Sequence, residues 1–244
     1  MKKIFKYRLF GRSKGRNKNI KISDEASAIK ISKKVEMFKG DFDTPLGMAE
    51  ASARCTSGIA QALDDIKPDL VLITVDRVET LASFTAASLM NFPIAHIQGG
   101  EVTGSIDESV RHAITKLAHI HFPATELSKK RLIQMGENEK KIFNYGCPSI
   151  DEIANKDLEI NEKLFKKYSN IGTGDKLNFS MPYVVVLQHS VTNEYQDSKF
   201  QILQTIEALK KLKMQTIWLW PNIDAGTDEI SKELRIFNLQ KRDF

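Results

Sequence analysis

DLVLITV, residues 69–75, is a continuous apolar run with almost no polar alternation, bounded by Pro68 in front and by Asp76 and Arg77 behind. A strand of this composition is expected to be buried on both faces, as in parallel sheets covered by helices. Upstream, Thr44 followed by Pro45 supplies an N-cap and a first helical position for a helix running to about Ile66, stopped by Pro68. Downstream the pattern repeats. A helical stretch from about Val78 to Met90 leads into PIAHI (93–97), a second from Ser105 to Leu117 into HIHFPA (119–124), and a third from Glu126 to Met135 into IFNYG (142–146). Such βα units predict an α/β domain with a mostly parallel sheet and helices on both faces.

Residues 154–182 break the rhythm. NEKLFKKYSN (161–170) has a helical pattern, but SNIGTGDKLNFSMP (169–182) has the Gly, Asn, Ser and Pro content of a linker. YVVVLQH (183–189), a helix over about Asp197 to Leu212, and TIWLWPN (216–222) then restart the alternation. The reading is a basic, poorly defined segment (1–34), a first α/β domain (35–153), a linker or loop region (154–182) and a partial second α/β domain (183–244). Two parallel strands rarely make a stable domain alone, so the second half is expected to be incomplete.

The net charge of +5 is unevenly spread. Residues 1–34 hold 12 Lys and Arg against 2 acids, leaving 24 against 29 in the rest of the chain, which is mildly acidic. The basic segment carries no zinc-finger spacing and no aromatic interleaving of the kind RNA-binding sheets need, so a nucleic-acid partner is not expected. No window approaches 18 uninterrupted apolar residues, which argues against a membrane span. Two cysteines, Cys55 and Cys147, are too few for a disulfide framework, and the expected compartment is the cytoplasm.

Candidate chemistry collects behind the strands. In VDRVE (75–79), Asp76 can cap the next helix with Glu79 completing a capping box, or, beside Arg77 at a strand's carboxyl end, can meet a substrate. HIQGGEVTGSIDESVRH (96–112) holds Gln98 and two glycines, Gly99 and Gly100, that allow close backbone approach. Ser105 and Glu108 form a second capping signal, with Ile106, Val110, Ala113, Ile114 and Leu117 as the expected buried stripe. Asp107 in the first turn is expected to be held ionised by free amides and by Arg111 one turn later. Glu101, before the helix, has no capping duty. His96, His119 and His121 read as hydrogen-bonded strand residues, with no ligand set for a metal, and no cofactor is expected. His189 ends the first strand of the second domain and would face Asp76 if the domains met across a cleft, while Asn222 and Asp224 follow the next strand, where a simple turn is equally fitting.

DLVLITVDRVETLA, PIAHIQGGEVTGSIDESVRHAITKLAHIHF, YGCPSIDEI, VVVLQHSVTNE and WLWPNIDAG, in order from about Val35 to Ile230, together resemble the hydrolysing UDP-N-acetylglucosamine 2-epimerases. The resemblance implies a two-domain glycosyltransferase-B-like fold that binds UDP-N-acetylglucosamine, or a related UDP-diacetamido sugar, between its domains. It implies elimination of UDP to a 2-acetamidoglucal, hydration to N-acetylmannosamine for sialic acid synthesis, and a homo-oligomer. Carried over, the family's catalytic positions fall on Asp76, Glu101, Asp107 and His189. Substrate contacts fall on Arg77, Gln98, Gly99, Gly100, the pair Arg111 and His112, Asn222 and Asp224. Val75 stands where the family usually has Gly, and Gln98 where some members have a catalytic Glu. The family's opening strand and its Gly-Thr-Arg-Ala-Asp type loop are not expected before Lys34, nor are the later UDP-binding segments expected beyond Phe244. An inactive interaction module is the alternative expectation; a glycosyltransferase of the same architecture would need an acceptor motif that the sequence does not provide.

Overall fold

A computed structural model of the chain describes residues 4–6, 32–38, 44–74, 76–156, 158–159, 174–175, 177–222 and 224–240. Val75 and the helical reading of residues 161–170 lie outside the described residues. Two compact units result, one of Met1–Phe42 with Leu46–Pro148, the other of Ser149–Phe244 with Asp43–Pro45.

The first unit is a four-stranded parallel sheet in the order β1 (Ile4–Lys6), β2 (Leu70–Thr74), β3 (Ile94–Ile97), β4 (Ile120–Phe122). The absence of an opening strand before Lys34 is therefore not observed: Ile4 to Lys6 pair in parallel with Leu70 to Leu72. Neighbouring register sets Val71 beside Ile94, Ile73 beside His96, and His96 beside His121, so these side chains share one sheet face.

Helix α1 (Pro45–Ile66) begins at the proline that suits a first helical position and buries Ala51, Cys55, Ile59 and Leu63, one per turn. It ends as Lys67 takes a left-handed φ of 48° and donates its amide to the Leu63 carbonyl at 2.8 Å, just before Pro68. α2 (Val78–Leu89) adds Ala82, Phe84, Ala86 and Ala87, and α3 (Ile106–Leu117) adds Ile114, to a core built on Val71, Ile73 and Ile94. Leu70 and Leu72, on the other face of β2, are only half-buried, so burial on both faces is incomplete among the described residues.

After β4, α4 (Glu126–Gln134) is capped by Thr125, whose hydroxyl accepts the Ser128 amide at 3.1 Å. The strand expected at 142–146 is reduced to one parallel bridge between Ile142 and His121. Phe143 and Tyr145 stack with Phe122 instead, at ring separations of 5.9 to 6.3 Å. Phe143 also donates its amide to the His121 carbonyl at 2.8 Å, and the ladder ends there.

The second unit holds α5 (Pro148–Ala154), β5 (Tyr183–Leu187), α6 (Ser198–Leu212), β6 (Gln215–Leu219) and α7 (Thr227–Gln240), with β5 and β6 paired in parallel. Ile202 and Ile206 of α6 meet Ile230 and Leu234 of α7 and the ring of Trp218. By alternation Val185 and Leu187 lie on the opposite sheet face, and both are more than half exposed.

Candidate functional site

Asp76 and Gln98 leave the sheet at the carboxyl ends of β2 and β3, where Arg111 reaches Asp76 and Thr74 reaches Gln98. Asp76 does not cap α2. The N-cap position is Arg77, which makes no side-chain cap, while the Asp76 carboxylate accepts a hydrogen bond from Nη2 of Arg111 on α3. The Arg111 side chain is 5% exposed and that of Asp76 20%. A guanidinium so deeply placed needs a carboxylate and a carbonyl to offset its lost hydration, and that demand draws Asp76 away from the α2 amides. The second partner is the Glu101 carbonyl, which accepts from Nη1 at 2.7 Å. Glu79 is not in a capping box either: its buried carboxylate pairs with Nε of Arg77 at 2.7 Å.

At α3 the capping signal holds. Ser105 is the N-cap, its Oγ accepting the Asp107 amide at 3.3 Å, and Oε2 of Glu108 accepts the amides of Gly104 at 2.7 Å and Thr103 at 2.8 Å. Those two amide bonds hold the Glu108 carboxyl below its ordinary range. Asp107 shifts the other way from expectation. Desolvation raises its pKa above the ordinary value and the negative charge of Asp76 raises it further, outweighing the Ser105 hydrogen bond and the charges of Arg111 and Arg77. The first turn's amides do not decide its state, because Glu108 takes the two amides just before the helix and Ser105 takes Asp107's own.

The buried face of α3 is also rotated from the expected stripe. Arg111, Ile114 and Thr115 are buried, Val110 and Leu117 are partly so, and Ile106 and Ala113 are exposed. The polar contacts explain the rotation: Arg111 must reach Asp76, and Thr115 Oγ1 lies 3.4 Å from His96 Nδ1 under Gly99. A Cβ on Gly99 would sit 2.9 Å from that imidazole nitrogen and 3.1 Å from the Thr115 hydroxyl.

Gln98 holds a φ of 65°, uncommon for a residue with a side chain, at the point where β3 becomes loop. Its amide donates to the Phe122 carbonyl at 2.9 Å, its Nε2 to Cys147 Sγ at 3.3 Å, and its Oε1 accepts from Thr74 at 3.4 Å. Gly100 follows with a φ of 84°, and Arg131 Nη1 donates to its carbonyl at 3.3 Å. The Glu101 carboxylate is half-buried and has no ion-pair or hydrogen-bond partner among the described residues.

His112 turns away from its neighbour Arg111, with Nε2 3.8 Å from Glu108 Oε1. His96 and His121 are buried, the latter against Glu137 at 3.2 Å, and His119 Nδ1 accepts the Ile94 amide at 3.2 Å. In the second unit His189 Nδ1 accepts the Asn222 amide at 3.0 Å. The Asn222 carbonyl accepts from the Thr227 hydroxyl at 2.8 Å, and that hydroxyl in turn accepts the Asp224 amide at 3.2 Å. His189, Asn222 and Asp224 thus form one cluster at the ends of β5 and β6, fitting a turn at 224–226 that enters the next helix while also fixing the imidazole.

Sequence reasoning passed over Thr74, Thr115, Arg131 and Cys147, which hold Gln98, His96 and Gly100 in place. Only Cys147 carried a signal, through its place in YGCPSIDEI.

The model of the UDP-N-acetylglucosamine 2-epimerase family matches residues 20–242. A UDP-N,N'-diacetylbacillosamine 2-epimerase (hydrolyzing) of Legionella pneumophila is 38% identical over 179 residues, covering 73% of this chain and 46% of the relative. A UDP-N-acetylglucosamine 2-epimerase of Neisseria meningitidis is 35% identical over 187 residues, covering 75% and 46%. The chain thus spans about half the length of the curated relatives it matches. The crystal structure of a Neisseria meningitidis UDP-GlcNAc 2-epimerase bound to UDP-GlcNAc aligns with a TM-score of 0.58 at 20% identity, over 77% of this chain and 52% of that one. The fold is glycosyltransferase-B-like, with parallel sheets and packed helices. With two thirds and more of its length matched in sequence, the chain belongs to the UDP-N-acetylglucosamine 2-epimerase family.

Proposed function

We propose that the chain acts as a hydrolysing UDP-N-acetylglucosamine 2-epimerase on UDP-N-acetylglucosamine or a related UDP-diacetamido sugar. In the first step the C2 proton passes to a base, the C1–oxygen bond to the diphosphate breaks, and UDP leaves with that electron pair. The product is 2-acetamidoglucal. In the second step water gives up a proton and adds as hydroxyl to C1, while a proton is delivered to C2 on the face opposite to the one the first proton left, giving N-acetylmannosamine in the simplest case.

One observation carries the reading. Asp76 and Asp107 lie near enough to feel each other's charge, beside Arg111, and their surroundings differ: Asp76 is ion-paired, while partial desolvation and the charge of Asp76 raise the pKa of Asp107, which stays exposed at the start of α3. A pair of acids in contrasting environments suits a reaction that must remove one proton and return another. Glu101 adds a carboxylate without an ion-pair or hydrogen-bond partner among the described residues, on the loop that begins at Gly99 and Gly100, whose missing side chains leave room for His96, Thr115 and Ser128. In the second unit, acceptance of the Asn222 amide by Nδ1 of His189 puts the ring proton of neutral imidazole on Nε2, which suits donation to a phosphate or departing oxygen. Arg77, Gln98, His112, Asn222 and Asp224 supply further polar groups for the sugar and diphosphate.

Both substrate classes fit the names of the relatives, one a diacetylbacillosamine epimerase and the other a UDP-N-acetylglucosamine epimerase. A homo-oligomer and a cytoplasmic location are part of the proposal, the location resting on a cysteine content too low for a disulfide framework.

The test incubates the protein with each UDP sugar and follows release of UDP and the 2-epimeric sugar by NMR. Wild-type turnover that Asp76→Asn reduces by about a thousandfold or more is expected for loss of an acid–base group. Asn keeps an oxygen for Arg111, so the variant should still melt cooperatively. Turnover unchanged in Asp76→Asn would remove Asp76 from the chemistry. No turnover by a cooperatively melting wild type would favour an inactive interaction module.

A further inference from the structure

We propose that Arg111 is a positioning residue that fastens the β2–α2 loop to the β3–α3 loop, holding Asp76 and Glu101 in fixed relation to Asp107. The proposal rests on the reading of these carboxyls as the acid–base groups, but its geometric part is testable without turnover.

Three observations converge. The Arg111 side chain is 5% exposed, so it offers little surface to a nucleotide sugar. Its two terminal nitrogens are committed to different loops, Nη2 to the Asp76 carboxylate and Nη1 to the Glu101 carbonyl. Asp107 lies one helical turn earlier on the same helix, four residues away, so the residue that ties the loops also sets their distance from Asp107.

The chemistry of the side chain suits this task. A planar guanidinium presents several N–H donors in a rigid fork, so two acceptors from different loops are held at a set angle. A lysine would place one rotatable ammonium in the same space and could not hold both acceptors at that angle. Diphosphate recognition, by contrast, needs donors facing solvent before the ligand arrives. Arg111 faces inward.

The experiment compares Arg111→Lys and Arg111→Met with wild type in amide hydrogen exchange of the unliganded protein and in steady-state kinetics. Exchange in the loops 76–78 and 99–105 is expected to quicken by about tenfold or more in Arg111→Met and by less in Arg111→Lys, with β5 and β6 unchanged as the internal reference. With a UDP sugar as substrate, kcat should fall by about a hundredfold in Arg111→Met while KM moves by less than about threefold, since alignment is lost and contact is not. If Arg111→Met does not fold, Arg111→Lys carries the same comparison alone. Unchanged loop exchange, or a raised KM with kcat retained, would overturn the proposal and return Arg111 to the substrate contacts. If the wild type shows no turnover, the functional reading fails and the exchange result still decides whether Arg111 ties the loops.

Discussion

Replacing Gly100 by alanine tests the site at its tightest point. Gly100 has a φ of 84°, and a Cβ there would lie 2.4 Å from the Ser128 carbonyl oxygen and 3.2 Å from Leu132 Cγ. The left-handed backbone alone costs an L-residue about 1–2 kcal/mol. Displacing the first turn of α4, a backbone obstacle and not a side-chain tip, adds about 1–3 kcal/mol on the scale of overpacked cores. Gly104→Ala is the matched control, because Gly104 has a φ of 71° with nothing within 4 Å of the added carbon. It should lose only the conformational part, so the difference between the two variants isolates the clash. Urea unfolding followed by far-ultraviolet circular dichroism is the assay, and with a slope of about 2 kcal/mol per molar the Gly100→Ala midpoint should fall by about 1 M or more. Both tryptophans, Trp218 and Trp220, belong to the second unit, so fluorescence monitors that half separately. Equal midpoints for Gly100→Ala and Gly104→Ala would refute the close approach of Gly100 to α4.

His121 is buried, and desolvation lowers its pKa more than Glu137 raises it, with Lys116 and His119 adding to the lowering. The unfolded chain therefore binds the proton more readily; the stabilisation is fully present above about pH 6.5 and is lost as pH falls through the lower folded value. His121→Gln should flatten the fall in melting temperature between about pH 6.5 and 5, and an unchanged pH profile would contradict the assignment. Ser105→Ala should cost about 1 kcal/mol through loss of the α3 cap. Because the Ser105 hydroxyl also donates to Asp107 Oδ2, the same variant should move the Asp107 carboxyl titration further upward in carbon NMR; a downward shift would be inconsistent with that bond.

Legibility followed the reach of the partners. Pro45 at the start of α1, its stop at Ile66 before Pro68 and the Ser105 cap are decided within a turn or two of chain, and each is where the sequence put it. The Asp76 and Glu79 pattern is just as good locally as the Ser105 and Glu108 pattern, yet it did not close, because Asp76 is claimed by a buried arginine 35 residues away. The sequence contained Arg111 but not its burial. The same long-range demand turned α3, exposing Ala113 and burying Arg111 and Thr115 where periodicity had placed aliphatic side chains. IFNYG has strand composition, but the pairing with β4 stops at the Ile142 bridge and the Phe143 amide bond to the His121 carbonyl, and Tyr145 beyond it is 78% exposed, so no further burial rewards a longer ladder. These departures meet at one place. Helix boundaries and βα order were readable because backbone chemistry fixes them, whereas the ends of β2 and β3 are where buried charge, left-handed backbone at Gln98 and Gly100, and a carboxyl displaced from its ordinary range override local preference. A protein gives up local consistency at a functional site more readily than elsewhere. The failed cap at Asp76 is therefore a better pointer to the working end of this sheet than the cap at Ser105 that formed as expected.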